Sequence, residues 1–211
     1  AESVYREVIS GMEGQLGERA IVTLQAKTGF CVLLDRLGKF PEAIEMLTGV
    51  YEAKRSAAVL GPTNSSTLVT LRALHQSYRG QALALKAMGD SVASDKSLAL
   101  SWEHALRSAE LQMDRVGGLT GLGPRSLLAD YEVTTEFSSF GQILTDCAGV
   151  REEQADLPQI RELARFMSQL APPPSVGLTK ELARSLEMTV EYLRAHDLST
   201  EGQALADLLS Q

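Results

Sequence analysis

The stretch LGPTNSSTL, residues 60–68, lies between two segments whose hydrophobic spacing is helical. Gly61 can adopt the left-handed conformation that ends a helix, and Pro62 keeps that helix from continuing. Ser65 or Ser66 is the expected cap of the next helix, which we expect to begin at Thr67. The stretch therefore predicts a helix, a short connection and a second helix.

A looser copy of this stretch, LGERAIVTL, occupies residues 16–24. Gly17 and Gly61 are 44 residues apart, and the two Thr-Leu pairs share that spacing. Between the copies, LGKFPEAIEML at residues 37–47 predicts a turn at Gly38, with Pro41 in the first turn of the following helix. Recurrence at this period is typical of repeated two-helix units.

These residues resemble the tetratricopeptide repeat in its kinesin-light-chain-like form, which recurs at roughly 42 residues. The second loop matches the family pattern at Leu60, Gly61, Pro62, Thr67, Leu68, Leu71, Leu74 and Tyr78, and the turn matches it at Gly38, Phe40, Glu42, Ala43, Glu45 and Leu47. The resemblance covers residues 1–117. It implies an all-α fold, a short right-handed α-solenoid of helical hairpins whose C-terminal half is degenerate.

The expected organisation follows from these matches and from helical periodicity. Residues 1–117 are repeats that begin in mid-repeat, with helix B at residues 1–15, and MGDSVASDKS is a longer turn than the family has. Residues 118–170 are a degenerate helical hairpin, 171–177 a proline-rich connector, and 178–211 a C-terminal hairpin or cap. Leu182, Leu186, Val190 and Leu193 are predicted to face inward in that last segment.

Composition narrows the function. The net charge is −7 and no basic stripe is present, which disfavours binding to nucleic acid or to an anionic membrane surface. No apolar run has the roughly 18 residues that a membrane span needs. Cys31 and Cys147 are far apart and predict free thiols in a reducing intracellular compartment. The cytoplasm fits best, and an organelle interior after removal of a transit segment is the alternative.

The residues that could carry chemistry each have a structural explanation. The glycine-rich VGGLTGLGPR, residues 116–125, follows a helix rather than a strand and lacks the Gly-Lys-Ser/Thr of a phosphate-binding loop. The histidines, His75, His104 and His196, form no close-spaced ligand set. We therefore expect no metal, cofactor or catalytic residue. An enzyme with a site in the irregular second half, near residues 117–123, remains a third alternative.

The resemblance implies a groove lined by the first helix of each unit. The implied partner-binding positions are Gln25, Thr28, Val32, Asp35, Arg36, Val69, Arg72, Gln76 and Arg79. Related repeats place an Asn pair, which bonds to a bound peptide backbone, where this chain has Thr28-Gly29 and Arg72-Ala73. That departure favours packing against a protein surface over capture of an extended peptide.

An exposed edge is expected on the first helix at Val4, Val8 and Ile9, because helix B of the opening half-repeat lacks its helix A. Either the natural chain extends further, or a neighbouring subunit covers this edge. The sequence thus predicts a non-catalytic interaction scaffold, an accessory or assembly subunit whose partners are other protein subunits or a peptide segment. An autonomous adaptor that binds a short peptide in the groove is the alternative.

Overall fold

The computed structural model describes residues 1–120 and, in the C-terminal part, residues 187, 190, 191, 193–195 and 199–209. Every regular element within these ranges is an α-helix, which confirms the all-α prediction for this part of the chain. The helices are α1 (Glu2–Leu16), α2 (Ile21–Arg36), α3 (Phe40–Ser56), α4 (Ser65–Ala87), α5 (Ser91–Thr120) and α6 (Ser199–Leu209). None of the helices in the described ranges is both long and apolar enough to cross a membrane.

The turn between α2 and α3 forms where the sequence predicts it. Gly38 has φ of +72°, and its N–H donates to the carbonyl of Asp35 while the N–H of Lys39 donates to that of Leu34. This pair of bonds satisfies carbonyls that the helix end leaves without partners. Pro41 lies in the first turn of α3, as expected. The tight turn makes α2 and α3 an antiparallel hairpin.

The connection that contains LGPTNSSTL differs from the prediction in two details. Helix α3 ends at Ser56, so Gly61 lies within the connection and does not end the helix. Helix α4 begins at Ser65, and its cap is Asn64, whose side-chain oxygen accepts the N–H of Ser66 at 2.9 Å. Serine and asparagine are both good caps, so the choice between neighbours depends on the backbone conformation of the connection.

The turn between α4 and α5 is shorter than expected. Helix α4 continues to Ala87 and α5 begins at Ser91, so most of MGDSVASDKS belongs to α5. The residues that were predicted to form a long turn lengthen the helix instead: α5 has 30 residues and α4 has 23, whereas α2 has 16. Helix α5 also extends past Gly117, where the sequence predicted its end.

Helices α4 and α5 are antiparallel along much of their length. Ser94 donates to the carbonyl of Ala82 at 2.9 Å, and Ser101 donates to the carbonyl of His75 at 3.1 Å. Small hydroxyl side chains on α5 let the two backbones approach closely, and each hydroxyl finds an acceptor on α4. This hairpin is therefore joined by polar contacts as well as by apolar packing.

The chain divides into two compact units, Ala1–Leu111 and Gln112–Gln211. The core of the first unit joins α1, α2, α3 and α4; its buried side chains are Ile9, Phe30, Cys31, Leu34, Ala43, Leu47, Ala73 and Leu74. In the second unit Val190 and Leu193 are buried, as predicted, and Gly202 of α6 packs against this segment. The other predictions for residues 121–211 lie outside the described residues.

Candidate functional site

Helices α2 and α4 lie side by side and run in the same direction. The Oγ1 atoms of Thr28 and Thr70 are 3.4 Å apart, and Ser77 donates to Asp35 Oδ2 at 2.7 Å. Both pairs are separated by 42 residues in sequence. Two contacts seven residues apart with the same separation require parallel helices in one fixed register.

The solvent-facing sides of α2 and α4 carry most of the predicted partner-binding residues. We call this surface, defined by Gln25, Val32, Arg36, Val69, Arg72, Gln76 and Arg79, the α2–α4 face. Val32 and Val69 are each nearly half exposed, and Arg36 is fully on the surface. Arg72 and Arg79 are partly buried and make further interactions. Of these seven predicted positions, five are exposed and two, Arg72 and Arg79, are partly buried.

Thr28 does not belong to the α2–α4 face, so its predicted role in partner binding is wrong. Its side chain is buried, and its hydroxyl donates to the carbonyl of Leu24 at 2.9 Å. The register carried over from the repeat family points this position toward the groove. In this chain the Thr28 side chain faces Lys54 of α3 and Thr70 of α4 instead. A small hydroxyl side chain fits there, whereas an Asn at this position would be buried and could not contact a partner in the groove.

Asp35 lies at the edge of the α2–α4 face and is half buried. Burial raises the pKa of this carboxyl, while the hydrogen bond from Ser77 lowers it. Its Oδ1 atom has no hydrogen-bond partner among the described residues. Asp35 therefore joins α2 to α4 through Ser77. The α2–α4 face has three arginines, Arg36, Arg72 and Arg79, and Asp35 at its edge is the one acidic residue of these two helices, so positive charges outnumber negative ones there.

A buried lysine, which the sequence analysis did not identify, joins three helices. Lys54 of α3 is 1% exposed, and its Nζ donates to Thr70 Oγ1 at 2.8 Å, to the Ser66 carbonyl at 3.2 Å and to Thr28 Oγ1 at 3.3 Å. All three acceptors are neutral. Burial lowers the pKa of Lys54 to about 8. The signal in the sequence is weak: Lys54 continues the buried stripe of Ala43, Leu47 and Val50 at helical spacing.

Two of the three residues predicted to form an exposed apolar edge on α1, Val4 and Val8, are exposed, and the third, Ile9, is buried. Val4 is 59% exposed, Val8 is 49% exposed and Leu16 is 55% exposed, with Met12 continuing the same i+4 stripe. Ile9 is buried in the core against α2, so its placement on the exposed edge is wrong. A step of one residue along a helix rotates a side chain by about 100°, which separates Ile9 from Val8.

His75 and Ser101 are a close pair of catalytic residue types, with His75 Nδ1 2.8 Å from Ser101 Oγ. His75 Nδ1 lies 3.0 Å from the Ser101 carbonyl, which can only accept, so this nitrogen carries the proton. Ser101 Oγ donates in return to the His75 carbonyl. Both side chains are buried, and a protonated Nδ1 cannot take a proton from the serine. The pair is a reciprocal clamp between α4 and α5.

The remaining candidates for chemistry are also buried in packing. Burial raises the pKa of the free thiol of Cys31 to about 12, which makes it a poor nucleophile. His104 stacks on Tyr78 with ring centroids 5.4 Å apart, and burial lowers its pKa. No group of His, Cys, Asp and Glu that could hold a metal ion occurs within the described ranges. His196, Cys147 and residues 121–125 of the glycine-rich loop lie outside them.

Comparison with known proteins adds no family to this description. No protein-family model matches the chain, and no curated protein is significantly similar to it. The class that the structure defines is thus an all-α protein with consecutive helical hairpins.

Proposed function

We propose that this protein is a non-catalytic scaffold for protein–protein interaction, built as a short right-handed α-solenoid of tetratricopeptide-like hairpins. The observation that carries the proposal is the 42-residue separation of both contacts between α2 and α4. This separation is close to the 44-residue spacing of the two loop copies and to the period of roughly 42 residues of the repeat family that the sequence resembles. Stacked hairpins of that kind hold their first helices side by side and present them as one continuous surface.

The α2–α4 face supplies a surface suited to a protein partner. Val32 and Val69 are exposed on neighbouring parallel helices, and arginine and glutamine side chains surround them. Interfaces commonly combine an apolar centre with a polar rim, and arginine is enriched in them. The face is built on helices whose undersides are fixed by the core, so it can bind without large rearrangement.

A second exposed surface favours an accessory or assembly subunit over an isolated adaptor. Val4, Val8 and Leu16 expose an apolar stripe along α1. Apolar surface of this extent is typical of contacts within an assembly. We therefore propose that the protein works as a subunit that contacts other protein subunits through the α2–α4 face and through α1.

Native material is the direct test of the proposal. Size-exclusion chromatography and native mass spectrometry should find the chain in a complex heavier than its own 22.8 kDa. Val32→Asp together with Val69→Asp should release it, because each change places a charge in the centre of the interface. The matched control is Val59→Asp, a change at an exposed connection residue, which should leave the complex intact. A native monomer, or equal loss from all variants, would contradict the proposal.

An adaptor for a short acidic peptide is the second candidate, and the charge of the α2–α4 face favours it. Three arginines and one partly buried aspartate lie on or beside this face in a chain of net charge −7. Arg72→Glu and Arg79→Glu should each weaken binding of an Asp/Glu-rich synthetic peptide by tenfold or more. Lys86→Glu, at the end of α4, is the control. Unchanged peptide binding in both arginine variants would remove this candidate.

A further inference from the structure

A cleft separate from the α2–α4 face runs along α3. Its volume is about 450 Å³, and the α1–α2 connection, α2 and α3 form its walls. A smaller pocket of about 250 Å³ adjoins it between α1, α2 and α3. Lys27 and Met46 line both. Lys27 pairs with Glu13 at 2.6 Å, and Glu13 also lines the smaller pocket.

The smaller pocket is lined mainly by apolar atoms, whereas the larger cleft has both charged and apolar lining residues. The pocket ends on Ile9, Phe30 and Met46, and the cleft ends on Leu24 and Val50. A volume of 250 Å³ lies just below the usual range for small-molecule sites, which is roughly 300 to 1,000 Å³. The pocket is therefore suited to one aliphatic side chain rather than to a whole cofactor.

Gly49 makes the wall of the cleft more open. It lies within α3 on the wall of the cleft, and a Cβ added there would meet no atom within 4 Å. A glycine inside a helix costs about 1 kcal/mol relative to alanine. Gly80 in α4 has an internal reason, because a Cβ there would overlap the Phe40 ring. Gly49 has no such neighbour among the described residues, and it leaves the cleft wall open to close approach by another chain.

The rim of the cleft carries excess negative charge. Lys27 is paired with Glu13, and Glu52 is paired with Arg55 at 2.5 Å. Glu18 and Glu45 have no ion-pair partner among the residues that the structure describes, and Arg19 is the remaining cation of the lining. A cationic side chain from a partner would complement this rim, whereas an anionic one would be repelled.

We propose that the cleft is a second docking site, which binds an extended partner segment carrying an aliphatic side chain and a lysine or arginine. The aliphatic side chain enters the pocket between Ile9 and Met46, and the cation lies at Glu45 and Glu18. From Met46 to Ala53 the cleft follows α3 for about 10 Å, the length of about three extended residues. The site does not depend on the α2–α4 face, so either can fail without the other.

The test uses the full-length chain with ¹³C-labelled methionine methyl groups. The Met46 methyl resonance is assigned through its loss in Met46→Leu. The probe is the tetrapeptide Ac-Lys-Leu-Gly-Lys-amide, compared with Ac-Glu-Leu-Gly-Glu-amide and Ac-Lys-Ser-Gly-Lys-amide. The lysine–leucine peptide should shift the Met46 methyl in a saturable way at millimolar concentration, while the other two should bind at least fivefold more weakly.

Variants of the protein separate the rim from the wall. Glu45→Gln with Glu18→Gln should weaken the lysine–leucine peptide at least fivefold, and Gly49→Leu should abolish its binding by filling the wall. Glu103→Gln, an exposed change on α5, is the control and should bind as the unmodified chain does. Val32→Asp should also leave the Met46 response unchanged. The proposal is overturned if no shift saturates, if the three peptides shift Met46 equally, or if the Glu45 and Glu18 changes have no effect.

Discussion

Replacing the buried lysine with methionine should make the first unit more stable at neutral pH. Lys54 is held by three neutral oxygens, and burial lowers its pKa from the ordinary 10.5 to about 8. A tenfold change in a proton equilibrium is worth about 1.4 kcal/mol, so holding the charged form costs the folded chain about 3 kcal/mol. Methionine has similar length and no charge. We expect Lys54→Met to raise the free energy of unfolding by about 1 to 3 kcal/mol at pH 7.

The same change should remove a pH dependence. Between pH 8 and 10.5 the unfolded chain keeps the proton that the folded chain has released, so the unmodified protein gains stability as pH rises through that window. The advantage of Lys54→Met is therefore fully present below pH 8 and shrinks toward pH 10.5. Thr70→Val should cost the unmodified chain about 1 to 3 kcal/mol, because the ammonium loses its nearest acceptor, and clearly less in the methionine background.

Urea unfolding followed by tryptophan fluorescence measures these differences within the first unit. Trp102 is the single tryptophan of the chain and is 4% exposed in α5. Lys86→Met, at an exposed position in the last turn of α4, is the matched control and should change stability by less than about 0.5 kcal/mol. Two results would contradict this prediction: a lower free energy of unfolding for Lys54→Met than for the unmodified protein at pH 7, or the same difference in free energy of unfolding between the two proteins at pH 7 and pH 10.

Two further pairs of variants test the helix packing and the helix cap, with the same fluorescence assay. Gly80→Ala should lower the free energy of unfolding by about 1 to 2 kcal/mol, because the new Cβ overlaps the Phe40 ring. Gly29→Ala, in open space on α2, should raise it by about 0.5 to 1 kcal/mol. Equal effects of the two changes would show that Phe40 does not pack against Gly80. Asn64→Ala should lower the free energy of unfolding by about 1 kcal/mol, because α4 loses its cap, and Ser65→Ala should change it little. The reverse order would show that Ser65 caps α4.

The sequence predicted the local turns well, because their chemistry is local. Gly38 and Pro41 each have one conformational role, and the structure assigns both to the expected turn. The α4 cap was wrong by one residue, since Asn64, Ser65 and Ser66 are all capable of capping. The choice among them depends on the path of the connection, which neighbouring residues alone do not determine.

The candidate surface was predictable in outline but not residue by residue. Val32, Arg36 and Val69 share the α2–α4 face because helical spacing brings them together. Thr28 has the same spacing but faces Lys54. No sequence rule identified Lys54 as buried, since a lysine at a core position is rare unless it is paired. Ile9 was misplaced for a similar reason: which neighbour of Val8 contacts α2 depends on how α1 is rotated.

The α4–α5 hairpin shows a different limit. Glycine and serine residues in MGDSVASDKS predict a long turn, yet the turn needs only Met88, Gly89 and Asp90. Gly89 has φ of +85° and its N–H donates to the Lys86 carbonyl, which repeats the geometry at Gly38. Ser94 and Ser97 bond to α4 across the hairpin. Their acceptors are far away in sequence, so local propensity misjudged them.

The parallel register of α2 and α4 is the central claim, and disulfide trapping tests it most directly. In a Cys31→Ala, Cys147→Ser background, Thr28→Cys with Thr70→Cys should form an intramolecular disulfide under mild oxidation, because the two Oγ1 atoms are 3.4 Å apart. Thr28→Cys with Ser77→Cys is the control. Ser77 lies on the same side of α4 as Thr70 but about 10 Å further along the helix. Mass spectrometry of unreduced digests should find the first disulfide and not the second. Both pairs oxidising equally, or only the Ser77 pair oxidising, would contradict it.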